Sequence, residues 1–331
     1  MITTPAMAAR REIVPTWLRR GGAAPRTARG RGSSSTGACA GLVIHLRSTI
    51  DNGGAQRDGR RMRVGMVLRN MGPQSTRETV LACARAADAA PAIADVWVTD
   101  HIAIPPDDAE GSDGRYLDPL GTLAFLAGAT TRVGLGTSVL VVPYRPPLPT
   151  AKVIATVQEL SGGRLHLGVG VGWMAAEFRA LGVDVRRRAR LTDETLAFID
   201  RCFAADVVEA NGQPFLFRPR PPRPPIFIGG APPHAFRRAV AHRAGWMPMG
   251  LGPEQLAPLA TELRARAADA GLDAPSVAIL TTLPLADATA ARDRLAAYGT
   301  AGASHVIHGA RYADATAFRT MLDQLVRAAG G

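Results

Sequence analysis

The chain has 331 residues, 47% hydrophobic and 20% charged, an ordinary globular balance with material for one large domain or two smaller ones. Its net charge of +11 sits unevenly: residues 1–61 hold 11 arginines against Glu12, Asp51 and Asp58, whereas the other 270 residues hold 28 bases and 25 acids. The body is nearly neutral, so charge gives no argument for a nucleic-acid partner, and no apolar run approaches the ~20 residues of a membrane span.

Residues 1–61 are rich in Arg, Gly, Ala and Ser without a hydrophobic period, a composition that cannot bury enough apolar surface to fold. They read as a disordered tail or a mis-assigned start, with Met62 opening the folded part. The Arg-Arg pairs at 10–11 and 19–20 raise the question of an export signal, but Pro15 and a Gly/Arg/Ser stretch stand where its apolar segment belongs. The separated cysteines Cys39, Cys83 and Cys202 form no CxxC pair and suit a reduced, cytoplasmic chain.

From Met62 onward strand and helix signals alternate. Predicted strands are 63–68, 95–98, 133–139, 165–169, 226–228, 245–247, 277–283 and 304–308. Predicted amphipathic helices between them include 76–89, 149–160, 192–203, 253–270, 288–298 and 314–328. Eight strands with intervening helices over residues 62–331 predict a (β/α)8 barrel, about the usual size of that fold. Two stretches break the rhythm: the acidic, Gly-rich 104–116, read as an active-site loop or lid, and the proline-dense 217–225, read as extended chain.

Four segments carry the chemistry. VWVTDH (96–101) is a buried strand ending in Asp100 and His101; the carboxylate can orient the imidazole for proton transfer, or the pair can merely cap a turn. In 133–147 the apolar alternation runs through Gly136, Thr137 and Ser138, which points to a bulge, a close ligand approach or a barrel corner. HLGVGVGW (166–173) places Gly168, Gly170 and Gly172 before a helix, where a phosphate can approach the backbone. Its spacing is not a dinucleotide fingerprint, because the third glycine would fall at Trp173. PPIFIGG (224–230) ends in Gly229 and Gly230, with Pro232 and Pro233 suited to the first turn of a helix and Arg237 and Arg238 read as solvated helix-face charges. The seven histidines form no metal set; His305 and His308 should point to opposite faces of one strand and read as structural.

Together VWVTDH, YLDPLGTLAFLAGATTRVGLGTSVLVVPYRPP, LSGGRLHLGVGVGW and PPIFIGG resemble the luciferase-like monooxygenase superfamily, in particular its F420-dependent oxidoreductase branch, from Met62 to about Ala328. The resemblance implies a deazaflavin across the carboxyl ends of the strands, with Asp100 and His101 beside its ring. It implies that Thr137, Ser138 and Val139 back the ring, with a non-proline cis peptide at Ser138–Val139. Gly170, Val171, Gly172, Gly229 and Gly230 would face its phosphate, and its acidic tail would find partners among rim arginines. It implies a homodimer acting on a small organic substrate; the charge, hydropathy and histidine readings above add no nucleic acid, membrane or metal partner. The expectation is an F420-dependent oxidoreductase moving a hydride to or from deazaflavin C5, with His101 as proton donor or acceptor. The alternatives are an FMN-dependent monooxygenase using reduced flavin and oxygen, and a non-catalytic F420-binding protein. The chain departs from the pattern in a short stretch after Phe203 and in Ala244, where an aspartate is usual.

Overall fold

The computed structural model describes residues 62–330. The disordered-tail reading of residues 1–61 lies outside the described residues. In chain order the elements begin β1 (Arg63–Val67), α1 (Arg77–Ala89), β2 (Asp95–Val98), α2 (Pro119–Ala127), β3 (Gly134–Val141), α3 (Pro147–Leu160), β4 (Leu165–Gly170), α4 (Ala175–Ala180) and α5 (Arg188–Ala204). They continue with β5 (Val207–Ala210), β6 (Gln213–Leu216), β7 (Ile226–Gly229), α6 (His234–Ala241), β8 (Gly245–Met247), α7 (Pro253–Asp269), β9 (Ala278–Thr281), α8 (Ala288–Thr300), β10 (His305–His308) and α9 (Ala315–Ala328).

Eight strands form one parallel sheet in the order β8-β7-β4-β3-β2-β1-β10-β9. Parallel bridges from Trp246 to Val277 and from Met249 to Leu280 bring its two edges together, so the sheet is a near-closed barrel. Every predicted strand is present. Helix starts follow side-chain chemistry: Thr76, Asp118, Asp287 and Asp314 each accept an N–H from the first turn of the helix they precede. Pro232 and Pro233 precede α6 rather than occupying its first turn, since Pro233 is its cap.

Two elements depart from expectation. Helix α2 lies outside the predicted helices, because its nine residues are largely apolar all round and give no helical period. The short stretch after Phe203 folds as a two-stranded antiparallel hairpin, β5 with β6, turning on Asn211 and Gly212 at φ 51° and 75°. Both turn residues need positive φ, which an Asn-Gly pair supplies.

The core has two compartments. Leu, Val, Ile and Ala side chains fill the space between barrel and helices, whereas Trp97, Phe227, Met247, Ile307, Ala278 and Val67 fill the barrel interior. The interior explains the glycines of β3. A Cβ at Gly136 would lie inside the Trp97 indole, and one at Gly134 would meet Asp95 and His166. The close approach read at Gly136 is therefore by a neighbouring tryptophan, not by a ligand.

Asp95, at the amino end of the barrel interior, bonds Arg63 Nη2 at 2.6 Å and His166 Nε2 at 3.1 Å. Burial alone would raise its carboxyl, but these two partners hold it far below the usual range. His305 also points into the interior, near His166 and Phe227, and burial pushes it down to about 4, so it is neutral at pH 7. His308 points outward, its Nδ1 accepting the Leu283 N–H at 3.0 Å. The opposite-face, structural reading of these two histidines therefore stands.

Gly136→Ala should cost about 1–3 kcal/mol by overpacking against Trp97. Gly121→Ala in α2, whose added Cβ makes only ordinary contacts, should gain up to about 1 kcal/mol of helix propensity. Urea unfolding of both variants checks the pair; equal effects would show that the barrel interior is loosely packed.

Candidate active site

The carboxyl ends of β2, β3, β4, β7, β8 and β9 surround a cleft of about 440 Å³. Asp100, His101, Ser138, Val139, Gly170, Val171, Gly172, Gly229 and Gly230 all line it. Thr137 does not: it is fully buried, and its hydroxyl donates to the Gly168 carbonyl at 2.7 Å. It sits one residue before the bulge that carries Ser138, and strand alternation turns it away from the opening.

The two residues ending β2 have separate partners, contrary to the expectation that Asp100 orients His101. Asp100 takes both arms of Arg145, at 2.6 and 2.9 Å, together with the Val141 N–H at 2.8 Å. Arg145 also reaches Asp118, the cap of α2, at 2.8 Å. Burial raises the Asp100 carboxyl above its ordinary value, and the bidentate guanidinium opposes that rise. Asp100 thus fastens β2 to β3 and α2.

His101 is oriented by Glu177, on α4. Glu177 Oε2 meets His101 Nδ1 at 2.8 Å and accepts the Tyr144 hydroxyl at 2.8 Å. Its Oε1 accepts the N–H groups of Ile102 at 2.6 Å and Ala103 at 2.9 Å. The carboxylate is fully buried. Burial would raise its pKa, but the Ala103 and Ile102 N–H groups, with Tyr144 and His101, bring it below the usual value. Burial and Glu177 push the Tyr144 phenol up, so it stays protonated and donates. A carboxylate that accepts at Nδ1 places the proton there and leaves Nε2 as the ring nitrogen available to the cleft. Tyr116 and Trp173 pack against the imidazole, with ring centroids at 5.0 and 6.0 Å.

The acidic stretch 104–116 is irregular apart from a short 3-10 turn at Pro106–Asp108. Its carboxyl half is tied down, with Arg69 donating to the Gly111 carbonyl at 3.3 Å and Arg115 to Ser75 Oγ at 3.0 Å.

In β3 the register with β4 shifts between Thr137 and Leu140, and the Ser138–Val139 peptide is cis. Val139 then fills the space beside two glycines. A Cβ at Gly170 would collide with its Cγ2, and one at Gly229 would press its Cγ1 at 3.1 Å. A Cβ at Gly168 would strike the Thr137 carbonyl. These three glycines answer packing needs. Gly230 differs: it has φ +102° and only open space where a Cβ would project. Its carbonyl is held by Trp246 Nε1 at 2.8 Å. Among the described residues no protein acceptor receives the N–H of Gly172, Trp173, Gly230 or Ala231. Exposed N–H groups on two adjacent strand ends are what an anion needs.

No arginine lines the cleft, so the expected rim partners for an acidic tail are not at its wall; Arg69, Arg115 and Arg145 are engaged within the protein. Arg237 is an exposed helix-face charge, but Arg238 is buried and paired with Asp193 at 2.6 Å, which corrects its reading as a solvated one.

The sequence profile of the luciferase-like monooxygenase family matches residues 62–328. The chain belongs to that family. An uncharacterized protein of Mycobacterium tuberculosis is 30% identical over 58% of this chain and 72% of its own length. Among solved structures, an F420-dependent secondary alcohol dehydrogenase bound to an F420-acetone adduct superposes with a TM-score of 0.67 at 16% identity, over 80% of this chain and 99% of that one. The FMN-bound oxygenating component of the 3,6-diketocamphane monooxygenase of Pseudomonas putida superposes with a TM-score of 0.63 at 13% identity, over 80% and 97% of the two chains. Likeness at such identity concerns the fold. Family members are oxidoreductases and monooxygenases, and no helix among the described residues is long and apolar enough to cross a membrane.

Glu177→Gln should cost about 2–4 kcal/mol at pH 7, because four donors then share a neutral amide. Since folding lowers the Glu177 pKa, its stabilisation is complete above the ordinary glutamate value of 4.5 and is lost as pH falls through the folded value. The gap between wild type and E177Q should therefore close on acidification below about pH 4.5. Urea unfolding at pH 7 and at pH 3.5 checks this, and a constant gap would contradict it.

Proposed function

We propose that this protein is an F420-dependent oxidoreductase whose cofactor phosphate rests on the two glycine turns and whose proton donor or acceptor is His101. The observation that carries the reading is the meeting of nine sequence-derived residues in one cleft, with a carboxylate-held imidazole on one wall and unpaired N–H groups on another. The residues fit a phosphorylated ring cofactor. Gly230 leaves open space in front of its backbone, Gly172 and Trp173 offer free N–H groups, and Val139, packed against Gly170, gives the cleft an apolar lining. When bound, the deazaflavin supplies a hydride donor or acceptor at C5.

The protein's part is to manage the proton. Oxidising an alcohol or reducing a ketone requires a proton to leave or join the oxygen as the hydride moves. With Nδ1 held by Glu177, His101 can take that proton on Nε2 or return it. Glu177 is the positioning residue; Asp100 serves the frame through Arg145.

Titrating the purified protein with F420 and with FMN decides the cofactor, and F420 should bind at least tenfold more tightly. Tighter FMN binding would make the protein a flavin-dependent monooxygenase, and binding without turnover of any substrate would make it a carrier. Gly230→Val should weaken cofactor binding by at least tenfold, through lost φ freedom and a side chain projecting into the space before the turn.

His101→Ala should lower single-turnover hydride transfer about 10²–10⁴-fold, leaving the cofactor dissociation constant within about threefold. Rate retention with collapsed cofactor affinity would make His101 a binding residue.

A further inference from the structure

We propose that the substrate is uncharged and largely apolar, bound with its reacting oxygen at His101 and its carbon skeleton across the barrel mouth on a wall made by Trp173, Met249 and Leu280. This rests on reading the cleft as the reaction site and adds the class of molecule it takes.

The strand order divides the cleft into two halves. Going round the barrel, β2 and β8 are separated by three strands on either side, so their ends face one another across the mouth. The β2–β3 side carries the polar groups: Thr99, Asp100, His101 and Ser138. The opposite side is apolar, with Met247, Pro248 and Met249 after β8 and Leu280 on β9. Trp173, after β4, stands between the halves, its ring edge-on to the His101 imidazole at 6.0 Å.

Exposure points the same way. Trp173 is 72% and Met249 74% exposed, and Ile102, beside His101, is 45% exposed. Single exposed apolar side chains are ordinary, but Trp173 and Met249 both line this one cleft, which marks a surface that becomes covered. Charge limits what can cover it. No Arg or Lys lines the cleft. The Asp100 carboxylate is spent on Arg145 and the Val141 N–H, and Glu177 is spent on four donors. A carboxylate or phosphate on the carbon skeleton would find no cation there and would lie near two buried acids. An aliphatic or aromatic chain would instead cover an indole, a thioether and a leucine. The wide, mixed contact of indole and methionine suits skeletons of variable shape more than one rigid outline.

The test is calorimetric titration of the full chain with straight-chain 2-alkanones from 2-butanone to 2-decanone, and with equal-length 2-alkanones carrying a terminal carboxylate. Each series is run alone and with saturating cofactor. Affinity should rise about fourfold per added CH₂ until the apolar wall is spanned, and, with saturating cofactor occupying the free N–H groups of the glycine turns, the carboxylated probes should bind at least tenfold more weakly than their neutral counterparts. Trp173→Ala and Met249→Ala should each reduce the increment per CH₂. Both residues are exposed, so the melting temperature should hold. A flat series, carboxylated probes that bind as well, or increments unchanged in both variants would overturn the proposal. Failure of both F420 and FMN to bind would sink the cofactor reading instead, while the alkanone series would still decide the substrate class.

Discussion

The buried carboxylate of Glu177 is the contact on which the site depends. It gathers the backbone after β2, a tyrosine after β3 and the imidazole of His101 onto one side chain of α4. A fully buried carboxylate is costly unless every lone pair is used. Four donors meet that demand, and meeting it fixes the position of each donor. One side chain thus orients the imidazole, selects its tautomer and ties down the backbone that follows it.

An ion pair does the same for the frame. Arg145 joins Asp100 at the end of β2 to Asp118 at the start of α2, beside the bulge that turns Val139 toward the glycine turns. The barrel below supplies rigidity: Trp97 occupies the room that Gly136 leaves, and Asp95 sits ionised between Arg63 and His166. Fixed groups at the carboxyl ends of parallel strands over a packed interior give a site whose reach is set by the loops. Here those loops offer free N–H groups on one arc and apolar side chains on another.

Much of this was legible in the residues. Alternation between apolar strand runs and amphipathic helices predicts the barrel, and short strands ending in Asp-His or Gly-Gly mark its working rim. Local sequence misleads at two places. Asp100 and His101 are neighbours in sequence, but consecutive residues at a strand end point apart, and the partner of His101 lies on α4, 76 residues away. Its one signal was the lone acid of GWMAAEF, inside the motif already read for its glycines. Gly136 and Thr137 looked like ligand contacts because small residues in a core strand admit either a ligand or a large neighbour. Only the interior shows that the neighbour is Trp97. The β5–β6 hairpin was written in Asn211-Gly212, an available turn signal in a stretch read for its length alone.

The central claim is that Glu177 holds His101 as the Nδ1–H tautomer, leaving Nε2 available to the cleft. Nitrogen-15 NMR of histidine-labelled full-length protein, with His101 assigned by its absence in His101→Gln, tests this most directly. The account predicts a protonated Nδ1 and a Nε2 signal that moves when a ketone binds, with the tautomer preference lost in E177Q. A His101 protonated at Nε2 in its neutral form, or a tautomer unchanged by E177Q, would contradict it.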